Sequence, residues 1–380
     1  MSLREKIVHE IRERGPIPFS RYMELCLYDP ELGYYSRQGE QFGKAGDFYT
    51  SSDVHAVFGR LLARQFEETW RVLGSPEQIE ILELGPGRGL FARDVLDWSE
   101  KKFPSFFAAL RYSLVERSPA LRTRLQSTLS RHCSRGKASL AVSNSVTRER
   151  ALASEIPAIL FANEFFDALP VEVLSPQGEL RVTEKDGRFV ETWTPASGEE
   201  LDFLDRHSVH PEEGERIEVP LIAQHYMVET AAVVQRGFLI AIDYGYTREE
   251  LLAGRHRGTV MAYRQHSVST SPYEAPGEQD ITAHVNFTAL AAAAEQQGMQ
   301  VQPVLTQSQF LMGIGEQNQF ADAFEDCRLP QERAKVALQL KHLVTPAGMG
   351  ETFHVLVASK GISPDAVIHL SGLSFGRRQS

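Results

Sequence analysis

Ile79-Glu80-Ile81-Leu82-Glu83-Leu84-Gly85-Pro86-Gly87-Arg88-Gly89 is an apolar run with an acid near its end, followed by three glycines at alternate positions. Read as a buried strand, a glycine turn and the start of a helix, it brings backbone N–H groups close to a ligand that side chains would block. A second apolar run, Tyr112-Ser113-Leu114-Val115-Glu116, also ends in an acid. An acid at the tip of the next parallel strand can take both hydroxyls of a ribose. Together the two runs predict an α/β sheet that binds a nucleoside-bearing ligand.

The spacing discriminates between two ligand classes. A dinucleotide turn reads G-x-G-x-x-G. Here Gly85, Gly87 and Gly89 give G-x-G-x-G, and Leu90 stands where the third dinucleotide glycine would be. Glu83, two residues before the first glycine, would face phosphate in a dinucleotide site, whereas it suits a cationic amino group. S-adenosylmethionine carries an ammonium, a sulfonium and a ribose, and no phosphate. It is therefore the expected cofactor, held by Glu83, Gly85, Gly87, Gly89 and Glu116. An NAD(P)-linked enzyme is the alternative that Leu90 and Glu83 disfavour.

Strand and helix patterns alternate outward from this stretch. Strands are expected at 79–84, 111–116, 138–142, 157–162, 237–243, 299–305 and 353–360. Helices are expected at 3–14, from a cap at Ser20, at 58–73, 221–236, 286–298 and 318–343. This order predicts a Rossmann-like, seven-stranded, doubly wound α/β sheet with right-handed crossovers. An N-terminal helical and loop cap takes 1–57. The sheet domain takes 58–170 and 236–306, and the last strand and tail take 351–380. Short alternating runs with turn signals predict a β-rich insertion at 171–235, and 307–350 reads as a helical insertion.

Composition bounds the function. The 380 residues carry a net charge of −10, with 42% hydrophobic and 24% charged residues, ordinary for a globular enzyme. Nucleic acid calls for basic patches, so no nucleic-acid partner is expected; the arginines at 117–135 read as a solvated helix. Cys26, Cys133 and Cys327 are scattered, with neither zinc spacing nor a disulfide framework. No apolar run approaches the roughly 20 residues of a membrane span. The charged N-terminus lacks an apolar signal core, and the expectation is a cytoplasmic protein.

The fourth strand ends in Phe161-Ala162-Asn163-Glu164-Phe165-Phe166-Asp167, an amide and two acids around adjacent aromatics where the cofactor's reactive end should lie. Asn163, Glu164 and Asp167 are the expected catalytic residues. A carboxylate pair can grip a planar guanidinium bidentately, hold one nitrogen toward a methyl group and receive the released proton. A lysine or small amine would need a base too, so the acids alone do not fix the acceptor. Gly46, Asp47, Phe48 and Thr50 form a loop expected to close over the cofactor, and Asn144 is placed to meet the adenine. Tyr49, Phe165, Asp243, Tyr244, His266 and His284 are expected on the substrate side. His266 and His284 lie too far apart, without a third convergent ligand, to read as a metal site.

Longer motifs carry a resemblance. The chain resembles the MidA-like family, whose mitochondrial members are complex I assembly factors that act as protein-arginine methyltransferases. The resemblance rests on Tyr28-Asp-Pro-Glu-Leu-Gly-Tyr-Tyr35, Gly46-Asp-Phe48, Glu83-Leu-Gly-Pro-Gly-Arg-Gly89, Val115-Glu-Arg-Ser-Pro119, Ala162-Asn-Glu-Phe-Phe-Asp-Ala-Leu-Pro170, Ile242-Asp-Tyr-Gly245, Gly258-Thr259, Asp280-Ile-Thr-Ala-His-Val285 and Met349-Gly350. It implies a class I S-adenosylmethionine-dependent methyltransferase fold and symmetric dimethylation of an arginine in a complex I subunit. A cofactor-binding assembly protein without catalysis is the competing reading, with 28–49 and 171–235 as partner surfaces.

Overall fold

Apolar runs bounded by glycines and acids become the strands of one large sheet. The computed structural model describes residues 1–36, 56–141, 156–252, 256–264, 267–269 and 271–375. Along the chain the sheet is built from β1 (Ile79–Leu84), β2 (Leu110–Val115), β3 (Ala138–Ala141), β4 (Ala158–Asn163), β5 (Gly237–Tyr246), β6 (Gln300–Val301) and β7 (Phe353–Lys360). Their spatial order is β6-β7-β5-β4-β1-β2-β3, and two short pieces, Val285–Asn286 and Leu305–Thr306, pair with β5 and β7 to make nine strands. β1 is parallel to both β2 and β4, β2 to β3, and β4 to β5.

The last strand departs from the all-parallel expectation. β7 runs antiparallel to β5 and to β6. The chain leaves Thr306 and returns at His354, and these two residues pair. A connection that starts and finishes at one end of the sheet makes antiparallel neighbours, whereas parallel ones need a crossover to the other end. That connection is helical, with Gln307–Glu316, Ala321–Phe324 and Pro330–Val344.

Both faces of the sheet are covered, as buried parallel strands require. On one face, Phe161 of β4 stacks on Phe91 with ring centroids 4.6 Å apart and meets Phe66 edge-on at 5.4 Å. Phe66 and Phe91 come from Ala56–Val72 and Leu90–Lys102. On the other face lie Leu221–Val233 and Phe287–Gln296, the latter capped by Asn286, which accepts from Ala289 N–H and donates to the His207 carbonyl.

A third core joins the N-terminus to the insertion. Leu3–Arg14 opens with a Ser2/Glu5 capping box, and the strand Ile17–Pro18 pairs antiparallel with Gly178–Lys185. Ile7, Phe19, Tyr22, Val173, Leu180 and Val182 pack together there. Ser20 does not cap the second helix as expected. That helix, Phe19–Tyr28, starts directly after Pro18, and the Ser20 hydroxyl donates to Glu172. Pro18 itself stands at the cap position, where its ring offers no side-chain acceptor. The insertion also holds a helix, Gly198–His207, which opens with a Ser197/Glu200 capping box and interrupts the expected run of strands.

Phe161 is fully buried, and truncating it leaves a cavity between the sheet and two helices. We expect Phe161→Ala to lose about 3–5 kcal/mol of unfolding free energy, measured by urea titration at an unchanged slope. A loss under about 1 kcal/mol would show that this stack is not central to the core.

Candidate functional site

The glycine turn is held open by conformation. Gly85, Gly87 and Gly89 have φ of +61°, +53° and +74°, a region that side-chain-bearing residues enter at a cost. A Cβ on Gly85 would lie 2.7 Å from the Phe165 ring, and one on Gly89 would lie 2.6 Å from Leu125. Gly89 then caps Leu90–Lys102 with no side-chain partner. The turn is thus pressed between Phe165 and the helix Pro119–Thr128, where only glycine fits.

Acids at the ends of β1 and β2 frame the turn. Glu83 is buried and accepts a hydrogen bond from the Tyr112 hydroxyl at 2.9 Å. Burial pushes its carboxyl up to about 8, and the tyrosine offsets part of that rise. Glu116 is buried too, and burial pushes it up to about 7 against the pull of the Ser118 and Arg117 N–H groups. The Ser118 N–H donates to it at 2.8 Å.

Both acids line a cavity of about 620 Å³ beyond the carboxyl ends of β1, β2 and β4. The strand order reverses here, because β2 and β3 lie on one side of β1 and β4 and β5 on the other. Ligands of open α/β sheets bind at such a switch point. Gly85, Gly87, Asn163, Glu164 and Phe165 line the same cavity. So do residues that motif reading did not assign to the site: Tyr28, Tyr35, Arg117, Ser118, Arg122 and Tyr226. Tyr28 and Tyr35 come from the N-terminal cap, which is stitched to the sheet domain. The Tyr28 hydroxyl donates to the Ala168 carbonyl at 2.9 Å, and the Ser118 hydroxyl to the Tyr35 carbonyl at 2.7 Å. The signal for the tyrosines was their place in the Tyr28–Tyr35 motif. The arginines, read as a solvated helix, split: Arg117 and Arg122 reach the cavity, while Arg131 and Arg135 pair with Asp97 and Glu100 outside it.

After β4 the backbone turns sharply. Glu164 has φ of +51°, a strained value for a residue with a side chain. Its N–H donates to the Ile242 carbonyl at 2.9 Å, and its Oε1 accepts from Asn163 Nδ2 at 3.1 Å. The next three N–H groups, of Phe165, Phe166 and Asp167, converge on Asp243 Oδ2 at 3.1, 3.0 and 3.3 Å. Asp243 Oδ1 accepts from the Tyr244 N–H at 3.0 Å.

The structure divides the remaining expected site residues. Asp167 is buried, accepts from the Tyr244 hydroxyl at 2.6 Å and keeps its Oδ1 without a hydrogen-bond partner. Burial raises its carboxyl above the ordinary range. The His284 ring meets Tyr244 edge-on at 5.3 Å, and burial lowers its imidazole. Asp167, Asp243, Tyr244 and His284 therefore cluster behind the turn and are not among the cavity-lining residues. Gly46, Asp47, Phe48, Tyr49, Thr50, Asn144 and His266 lie outside the described residues.

Among the described residues, Glu172, Glu179 and Glu200 bring three carboxylates close enough to share an ion. Each already has a partner within the protein: Ser20 on Glu172, Arg181 on Glu179 and the Ser197 N–H on Glu200.

This geometry fits S-adenosyl-L-methionine through its glycine cradle and its two buried acids. Comparison with known proteins agrees. A crystal structure of a protein from Burkholderia thailandensis bound to S-adenosyl-homocysteine superposes with a TM-score of 0.81 at 28% identity, covering 97% of this chain and 94% of that one. A native structure from the same organism gives 0.80 at 27% identity, over 98% and 94% of the two chains. The protein arginine methyltransferase NDUFAF7 homolog, mitochondrial, of Drosophila melanogaster is 29% identical over 95% of this chain and 85% of its own length. Its human counterpart is 27% identical over 92% and 81%. These relatives are named as mitochondrial, which overturns the cytoplasmic expectation drawn from charge and the N-terminus. No helix among the described residues is long and apolar enough to cross a membrane. Residues 61–305 match the family model of an S-adenosyl-L-methionine-dependent methyltransferase; the chain belongs to that family, and S-adenosyl-L-methionine is its cofactor.

Proposed function

We propose that the chain methylates an arginine side chain of a protein, with Glu164 as the group that meets the acceptor. The observation carrying this reading is the Glu164 carboxylate, steadied by Asn163 and lining the same cavity as Glu83 and the glycine turn. The names of the curated relatives support the arginine acceptor. The family resemblance extends the reading to a subunit of respiratory complex I and to symmetric dimethylation.

Bound S-adenosyl-L-methionine supplies an electrophilic methyl group on a sulfonium. Glu116 would take the ribose hydroxyls and Glu83 would face the amino end, each from a side chain already removed from water. Glu164 accepts hydrogen bonds from the guanidinium and holds one nitrogen in line. The guanidinium is charged in solution, so that nitrogen would shed a proton to Glu164 as its bond to the methyl carbon formed and the carbon–sulfur bond broke, with S-adenosyl-homocysteine as the leaving group. Asp167, held by Tyr244 behind the turn, adds negative charge that favours a cationic acceptor. Tyr28, Tyr35 and Phe165 supply the aromatic walls that keep water from the reacting atoms.

Two outcomes test this. Labelled S-adenosyl-L-methionine, added with the protein to a lysate lacking it, should place label in methylarginine after hydrolysis. Glu164→Gln should cut that label about 100-fold with little change in S-adenosyl-homocysteine affinity. Label in lysine, or equal labelling by the variant, would contradict the assignment.

The second outcome concerns pH. Glu83 and Glu116 are largely protonated below about 7–8, and the ligand favours their ionised forms. Binding therefore releases protons, and affinity should rise from pH 6 to 8 by at most about tenfold per unit for each proton released. Without ligand the sign reverses. At these two acids the folded state binds more protons than the unfolded one, so their contribution to stability falls as pH climbs from the ordinary carboxyl range toward 8. Calorimetry with S-adenosyl-homocysteine should show a shallower affinity slope in Glu83→Gln; identical slopes would remove Glu83 from the amino-end role.

A further inference from the structure

We propose that Asp243 is a positioning residue for methyl transfer: its carboxylate fixes the 163–167 turn that presents Glu164 to the cavity, and it does not touch the acceptor. The inference rests on the reading of Glu164 above. It assigns Asp243 a different task from the substrate contact expected of it at the end of the run 237–243.

Three observations carry it. Asp243 is 1% exposed and absent from the cavity wall. Its two oxygens are engaged by four backbone N–H groups, three of them consecutive in the turn. The turn also contains the strained backbone of Glu164 at φ +51°. A strained residue persists only where its surroundings over-determine it. Here the surroundings are the Ile242 carbonyl and the Asp243 carboxylate on the neighbouring strand. Burial, with Asp167 and Glu164 nearby, raises the Asp243 carboxyl, and the backbone N–H groups it accepts pull it back toward the ionised form; in that form the clamp is strong, because the bonds are charge-assisted and sheltered from water. A neutral amide keeps the shape and loses that assistance. Released from the clamp, Glu164 can relax toward negative φ and withdraw its carboxylate from the acceptor. The packing of Phe165 on Gly85 is apolar contact, which the isosteric change leaves in place, so the cofactor cradle survives.

The test compares Asp243→Asn and Asp243→Ala with the full-length protein. Hydrogen exchange by mass spectrometry reads the turn amides, calorimetry reads S-adenosyl-homocysteine binding, and labelled methyl transfer into lysate proteins reads the reaction. Asp243→Asn should bind S-adenosyl-homocysteine within about threefold of the parent and exchange the 165–167 amides about tenfold faster. It should transfer methyl about 100-fold more slowly, the size of effect that misplacing a reacting group produces. Asp243→Ala should exaggerate each change; where it fails to fold, the isosteric variant decides. Unchanged exchange, unchanged transfer, or ligand affinity lost in proportion to transfer would overturn the proposal. Absence of transfer by the parent protein while it still binds S-adenosyl-homocysteine would overturn the protein-methylation reading instead, leaving the exchange data to decide whether Asp243 holds the turn.

Discussion

The site depends on the reversal of strand order at β1. Because β2 lies on one side of β1 and β4 on the other, with all three parallel, the chain leaves their carboxyl ends in opposite directions and a crevice opens between the departing segments. What fills its floor is local: the glycine turn after β1, Glu116 after β2 and the Asn163–Asp167 turn after β4. None of these segments is adjacent in sequence to the others. The cavity is therefore a property of strand register, and each acid owes its place to the strand that carries it.

Polar groups of irregular backbone are costly to bury, and the protein meets that cost with buried carboxylates used as clamps on backbone N–H groups. Asp243 holds three turn amides. Glu218 takes those of Thr259 and Val260, Asp29 those of Glu31 and Leu32, and Glu68 that of Ser371. Irregular backbone has no ladder to satisfy its amides, and a buried acid nearby supplies the acceptor. Glu83, Glu116 and Glu164 differ from these clamps in lining the cavity. Sharing one residue type between clamping and chemistry explains why a cluster of acids in the sequence does not by itself show which of them face a ligand.

Much of the fold was legible because strands buried on both faces announce themselves as apolar runs, and five of the seven were placed within a residue or two; the run 237–243 continues to Tyr246, and 299–305 breaks into two short pieces, Gln300–Val301 and Leu305–Thr306. The reversal of β7 was not legible. It depends on where a helical excursion re-enters the sheet, which periodicity does not encode. The helix Gly198–His207 was missed although Ser197 and Glu200 spell a capping box, because alternating runs on either side dominated the reading. The small antiparallel sheet of Met261–Arg264, Ser267–Ser269 and Asp280–Thr282 has strands too short to show a period. At the site, spacing brought Glu164 and Asp167 together as one grip. The left-handed backbone at Glu164 sends them apart, one to the cavity and one to Tyr244, and such a conformation at a non-glycine residue leaves no mark in sequence.

In the proposed mode, S-adenosyl-L-methionine lies in the crevice with its reactive end toward the Asn163–Asp167 turn. A crystal structure of the protein with S-adenosyl-homocysteine tests this most directly. The ribose hydroxyls should lie on Glu116, the amino acid end beside Glu83 and the glycine turn, and the sulfur on the side of Glu164. A ligand seated with its adenine against Glu164, or bound outside this crevice, would contradict it.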